Sequence, residues 1–286
     1  MADSNSIRNV SDTARWVAIY RAMESERADA LFHDPYARRL GGERGEAIVR
    51  EMPMGKAVAW SMIVRTAVMD EIVLRCVRDG AKTVLNLAAG LDARPYRMDL
   101  PADLRWIHVD LPDMVDYFRN AMHDVAPHCR LEFAVADLRE ADRRHELFAD
   151  AASEGPVLVI SEGLLIYLPP DDVAGLARDL HEIVRARWWL SDLASPLLFK
   201  YMERRWTGRL KSGNSQFQFT PADGTGFFAP YGWREIEWRS MWTESLRLKR
   251  SMRFAWFFNL LGKLQSKQKQ DAGRRMSGTM LLGSKH

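Results

Sequence analysis

The chain has 286 residues, 47% of them hydrophobic and 28% charged, and this excludes the low-hydrophobicity, high-charge class of disordered chains. Forty-one Lys and Arg against thirty-eight Asp and Glu leave a net charge of only +3, too small an excess to argue for nucleic acid. Cys76 and Cys129 form no metal or redox spacing, and the seven histidines show no ligand spacing, so no metal is expected. The first residues lack the charged-then-apolar layout of a signal peptide. The most apolar stretch, Phe254 to Leu261, is far short of the ~20 residues that span a bilayer. The expectation is a cytoplasmic protein with no membrane or nucleic-acid partner and an oligomeric state the sequence leaves open.

Along the chain, residues 1–55 carry helical patterning broken at Asp34-Pro35 and Gly41-Gly42. A second helical run is predicted from Lys56 to about Asp79, with Ala59, Met62, Ile63, Ala67, Ile72, Val73 and Val77 at helical intervals and Gly80 as its stop. Short, nearly continuous apolar runs follow at 83–88, 104–110, 131–137, 156–162 and 188–192, with helical candidates at about 113–125, 140–152 and 171–186 between them. That alternation indicates a parallel sheet covered on both faces. Residues 196–230 are expected to form an inserted lid, with Trp206, Phe217, Phe219, Phe227 and Phe228 as an apolar substrate wall. Trp188 and Trp189 are assigned to the core. Two strand-like runs, Ile236–Leu248 and Gly278–Leu282, close the chain, with Lys263–Gln270 as an exposed connection. The reading is one α/β, Rossmann-like, doubly wound domain: a helical extension at 1–80, a core at 81–195, a lid at 196–230 and C-terminal strands at 231–286.

The central strand candidates end in Gly90, Asp110, Asp137, Glu162 and Asp192. Open parallel sheets bind ligands outside the carboxyl ends of their strands, so these groups are predicted to line one crevice. The first turn keeps a single glycine where a dinucleotide phosphate cradle wants three. Asp110 lies twenty positions after Gly90, the interval of an acid that accepts from ribose hydroxyls. NAD(P) needs the glycine-rich cradle, and no tyrosine is followed four positions later by a lysine. S-adenosylmethionine needs no cradle: Asp110 would serve its ribose and Asp137 its adenine amine. The chemistry of the turn favours the methyl donor.

The segment Val84 to Arg97, reading V-L-N-L-A-A-G-L-D-A-R-P-Y-R, resembles the N-L-G-A-G-L-D-T-R-P-Y-R signature of leucine carboxyl methyltransferase-like enzymes. Arg65-Thr66 with Asp70, His108-Val109-Asp110-Leu111-Pro112 and Glu162 to Leu168 are also similar, as are Thr13-Ala14, Arg21-Ala22, Glu24 and Asp34-Pro35 to the bacterial branch, which includes polyketide-tailoring O-methyltransferases. The resemblance implies a class I methyltransferase sheet whose last strand inserts antiparallel. It implies that Arg65 meets the cofactor carboxylate, Gly90 passes the methionine portion and Asp110 holds the ribose. Asp137 and Leu138 would border the adenine, and Glu162 would lie beside the cofactor. Tyr167 is read either as a substrate-binding residue or as a core-edge tyrosine. The chain departs at Ala88, where the family usually has glycine. On the residues alone, Arg65 is a surface partner of Asp70 or Glu71, and Asp92 with Arg94 braces the turn. The expected function is O-methylation of a carboxylate or hydroxyl on a small, polyketide-like metabolite, with no catalytic base assigned. Methylation of a protein C-terminal carboxylate, and a catalytically silent binding protein, are the alternatives.

Overall fold

The computed structural model describes residues 10–51, 55–200, 217–252, 255–263 and 265–284. Among the described residues, seven strands form one sheet: β1 (Thr83–Leu87), β2 (Arg105–Asp110), β3 (Arg130–Val135), β4 (Val157–Ser161), β5 (Trp188–Ala194), β6 (Trp233–Ser240) and β7 (Ser277–Ser284). Their order is β3-β2-β1-β4-β5-β7-β6. The first five run parallel, and β7 lies antiparallel between β5 and β6. This is the Rossmann-like sheet of class I methyltransferases, with the antiparallel insertion that the resemblance implies.

The apolar strands are buried on both faces because their side chains alternate between two helical layers. Leu85, Leu87, Val157 and Val159 pack with Phe148 of α6 (Ala141–Ala151) and Leu176 of α7 (Pro170–Glu182). Val84, Leu158 and Ile160 pack on the other face with Val64, Val68 and Ile72 of α3 (Gly55–Arg78). Trp188 and Trp189 fall in these two cores, one on each face. Gly80 has φ 102 just past α3, as the stop signal requires.

Within the expected 1–80 extension, α3 therefore covers a face of the sheet, while α1 (Val10–Ser25) and α2 (Ala37–Glu51) form a layer outside it. Trp16 and Tyr20 of α1 meet Ala59, Ile63 and Ala67 of α3. α2 bends at Gly42, whose φ is 59 and ψ −174. The short helix α4 (Arg94–Arg97) and α5 (Pro112–Ala121) complete the central block, and the helical candidates there all form.

Three expectations are corrected. The strand-like run 236–248 is a strand only to Ser240, because Met241–Arg247 turns into a helix, α8, that carries Met241 back onto the sheet. The apolar and polar segments after it form helices Ala255–Lys263 and Lys267–Arg274, so the expected loop is partly helical. Of the lid span, 196–200 are helical and 201–216, with Trp206, lie outside the described residues. Phe219 and Phe228 are core residues beneath Trp189 and Trp233, and Phe227 packs against them. They are not the open apolar wall that the sequence indicates, because 3₁₀ turns at Gly224–Tyr231 fold this segment against α7.

Gly41 and Gly45, on either side of the bend at Gly42, let α2 approach α1 closely. A β-carbon on Gly45 would stand 2.9 Å from the Arg15 carbonyl oxygen. Gly45→Ala is expected to force the helices apart and cost about 1–3 kcal/mol, read as a lowered midpoint in urea denaturation.

Candidate functional site

The carboxyl ends of β1, β2 and β4 open into a cavity of about 350 Å³, within the range of small-ligand sites. Arg65, Gly90, Asp110 and Asp137 line it, together with Leu138, Glu162 and Tyr167, whereas Asp192, expected to join them, does not line it and instead holds Arg65. The roof comes from an unexpected element. Ser11, Thr13, Ala14 and Val17, on the first two turns of α1, also line the cavity, whereas no described residue of 196–230 does. The Ala14 side chain lies 3.4 Å from where a Gly90 β-carbon would stand, so the roof passes directly over the turn, whose φ of 55 at Gly90 favours glycine.

The turn after β1 is tied down on both sides. Ala89 N–H donates to the Val109 carbonyl (2.9 Å), and Gly90 N–H donates to Asp110 Oδ2 (2.6 Å). Leu111 N–H donates to the other Asp110 oxygen at 2.7 Å. Burial pushes the Asp110 carboxyl up, and these two N–H donors oppose it. Asp92 braces the turn as the residues alone indicate: it accepts from Asn86 Nδ2 and Arg94 Nη1, both at 2.8 Å, and from the Arg94 N–H at 2.9 Å. Ala88 has φ 48, a left-handed conformation that costs an alanine about 1–2 kcal/mol and a glycine almost nothing.

Glu162 follows β4 and accepts from Arg65 Nε at 3.0 Å, while Arg94 Nη1 lies 2.9 Å from its second oxygen. Burial alone would raise its carboxyl, but the charges of Arg94 and Arg65 overcome that and hold it at about 2. Arg65 also donates to Asp192 Oδ2 at 3.1 Å, and the Gly163 N–H donates to Asp192 Oδ1 at 2.6 Å. The surface pairing of Arg65 is thus corrected: Asp70 binds Arg94 and Arg97, and Glu71 binds Arg239 and Arg247. Arg65 faces inward because the helix carries it over the ends of β4 and β5. Sequence reasoning missed Arg97 and Arg21, which also line the cavity. Arg21 holds Asp34 at 2.9 Å and the Leu91 carbonyl at 2.6 Å.

At the opposite end Asp137 is clasped by Arg139, whose backbone N–H and side chain donate to it at 3.0 and 2.5 Å. Tyr167 packs its ring on Phe217, 5.6 Å between centroids. Burial raises its hydroxyl pKa, against a hydrogen bond with Thr13 and the charge of Arg65.

A match to the leucine carboxyl methyltransferase family model spans residues 14–181, more than half of the chain. A Streptomyces coelicolor protein, provisionally named an S-adenosyl-L-methionine-dependent methyltransferase, is 33% identical over 240 residues, covering 77% of this chain and 82% of that one. This chain belongs to the leucine carboxyl methyltransferase family. A Frankia alni protein with the same provisional name is 30% identical over 236 residues, covering 78% of this chain and 82% of its own length. Among solved structures, a Streptomyces avermitilis protein matches with TM-score 0.57 at 14% identity, covering 95% of this chain and 97% of its own. A Thermobifida fusca protein matches with TM-score 0.52 at 17% identity, covering 88% and 93%. Both likenesses concern the fold. Leucine carboxyl methyltransferase relatives and the sheet order together make this chain an S-adenosylmethionine-dependent methyltransferase.

His108, in the motif beside Asp110, is fully buried between Phe118 and Phe133 and does not line the cavity. Burial lowers its pKa from 6.5 to about 4, against Asp92 and the Gly90 backbone. The unfolded chain therefore binds a proton between pH 6.5 and 4 that the folded chain refuses. Stability from the neutral ring is complete above about pH 6.5 and is lost as pH falls through 4, up to about 3 kcal/mol. His108→Phe is expected to flatten this part of the pH–stability curve, measured by urea denaturation at stepped pH.

Proposed function

We propose that the chain transfers the methyl group of S-adenosylmethionine to a carboxylate oxygen of a small, largely apolar metabolite. The observation that carries this reading is that Glu162, the acid that stands between two arginines of the cavity, is already committed. Glu162 is held near pKa 2 between two arginines, and Asp92 and Asp192 are each bound to an arginine. So held, Glu162 is a poor proton acceptor, and His108 beside the turn is buried behind it. A carboxylate acceptor needs no base, because carboxyl groups ionise near pH 4 and the nucleophile is formed at pH 7. A phenol, with pKa about 10, would need one. The roof of α1 over the hollow favours a small acceptor over a protein tail.

The residues of the cavity fit the cofactor. Asp110, fixed by two backbone donors, retains acceptor capacity for ribose hydroxyls, and Asp137 with Leu138 offers an acceptor and an apolar wall to adenine. Arg65 and Glu162 supply opposite charges to the amino-acid end, where Arg94 Nη2 and Arg97 Nε are buried without a hydrogen-bond acceptor. Gly90 admits close passage of the methionine portion. The bound cofactor supplies a sulfonium methyl open to in-line displacement. The chain contributes alignment and exclusion of water, through the α1 roof and the apolar side chains of Leu164 and Leu168. Tyr167, kept protonated by burial, is placed to donate a hydrogen bond to the acceptor.

Arg65→Ala is expected to weaken S-adenosylmethionine at least tenfold more than 5′-methylthioadenosine, which lacks the carboxylate, by calorimetry; equal losses would make Arg65 structural. Incubation with labelled methyl donor and a metabolite extract is expected to label a small molecule in base-labile form. A base-stable ether would overturn the carboxylate reading, and label on protein would favour the tail-methylating alternative.

A further inference from the structure

The helix Ala255–Lys263 turns the usual arrangement of a surface helix around. At about 100° per residue, Trp256, Phe257 and Leu260 share one face. All three are exposed, at 68%, 45% and 54%, and Met252 just before the helix is exposed as well. On the other side Ala255 is buried, and Asn259 and Gly262 are half-buried. Small residues thus seat the helix while large apolar side chains meet solvent, the reverse of a helix that covers a core. Scattered apolar side chains at a surface need no explanation, whereas a contiguous patch marks an interaction site. The connection that carries this patch is rooted at one edge of the sheet. Ser240 pairs with Gly278 and Ala194 with Ser277, so it leaves and rejoins at the edge where β5 ends, the edge that also holds the cavity.

The charge around the patch selects what would cover it. From Ser245 to Gln270 the sequence holds seven Lys and Arg and no Asp or Glu, in a chain whose net charge is only +3. Arg247 and Arg250 are engaged inward, by Glu71 and Glu24. Lys249, Lys267 and Lys269 are exposed, and among the described residues no carboxylate pairs with them. Tryptophan and other large apolar side chains beside free lysines match an anionic membrane surface, where the rings lie at headgroup level and the lysines meet phosphates. A second copy of the same patch would instead bring like charges together. No described helix is long and apolar enough to cross a bilayer, and lying in its interface requires no such length. We propose that the helix Ala255–Lys263 is an interfacial anchor that binds this chain reversibly to anionic lipid bilayers. Trp256, Phe257 and Leu260 enter the headgroup layer, and Lys267 and Lys269 face the lipid phosphates. This departs from the expectation of no membrane partner, which rested on the lack of a spanning segment. The anchor does not depend on which acceptor the cavity takes.

The test is co-sedimentation of the full chain with vesicles of phosphatidylcholine alone and of phosphatidylcholine with phosphatidylglycerol in equal parts. The wild-type chain is expected to bind the mixed vesicles at least about tenfold more tightly than the neutral ones, a preference that shrinks with added salt. The triple variant Trp256→Gln, Phe257→Gln, Leu260→Gln is expected to lose at least about tenfold in binding to the mixed vesicles. The double variant Lys267→Gln, Lys269→Gln is expected to lose about tenfold there and nothing on neutral vesicles. All five side chains are at the surface, so unchanged thermal midpoints are expected, and the lysine pair tests the anchor without touching its apolar face. No binding by the wild-type chain, equal binding to both vesicles, or unchanged binding in either variant overturns the proposal. A wild-type dimer in sedimentation velocity without lipid, dispersed by the triple variant, assigns the patch to a second copy and overturns it too.

Discussion

Glu162, one residue beyond β4, stands between two guanidiniums that reach it from different parts of the chain. Arg65 comes from the middle of α3, and Arg94 from the short helix that follows the β1 turn. Each arginine is itself held by further acids, Arg65 by Asp192 and Arg94 by Asp70 and Asp92. The network joins the ends of β4 and β5, the turn after β1 and the helix that covers the other sheet face. Removing one member of such a buried pair leaves an uncompensated charge and costs about 3–5 kcal/mol. The cavity therefore has a shape only while these charges balance, and the same balance keeps Glu162 ionised.

Much of this architecture is legible in the sequence because parallel strands buried on two faces are continuous apolar runs. The runs at 83–88, 104–110 and 156–162 become β1, β2 and β4 within a residue or two, and their terminal acids fall on one edge as the topology demands. Asp110 is the clearest case, since its spacing from Gly90 translates into a direct hydrogen bond. Leu138 and Tyr167 depend on the family resemblance, for periodicity alone gives no reason to single them out.

Other features lie beyond local pattern. The inward turn of Arg65 depends on where α3 crosses the sheet, a long-range fact absent from its helical neighbours. The same holds for the cavity roof. α1 reads as an ordinary helix, and only the fit of Ala14 over Gly90 brings it to the site. Phe219 and Phe228 illustrate the converse, because aromatic residues among glycines and prolines look like a loop surface until a sheet is found for them to cover. The run 236–248 misleads because a strand and a short amphipathic helix follow one another without a breaker between them.

Asp110 has a consequence of a different kind. Both of its oxygens are gripped by backbone N–H groups of the turn and of the helix that follows, so the carboxylate is locked in orientation by folding itself. The entropy of fixing that acceptor is spent before any ligand arrives. On the proposed reading, ribose hydroxyls would meet an acceptor set in place beforehand, and a sugar without its vicinal diol would meet a rigid anion that has no way to turn aside.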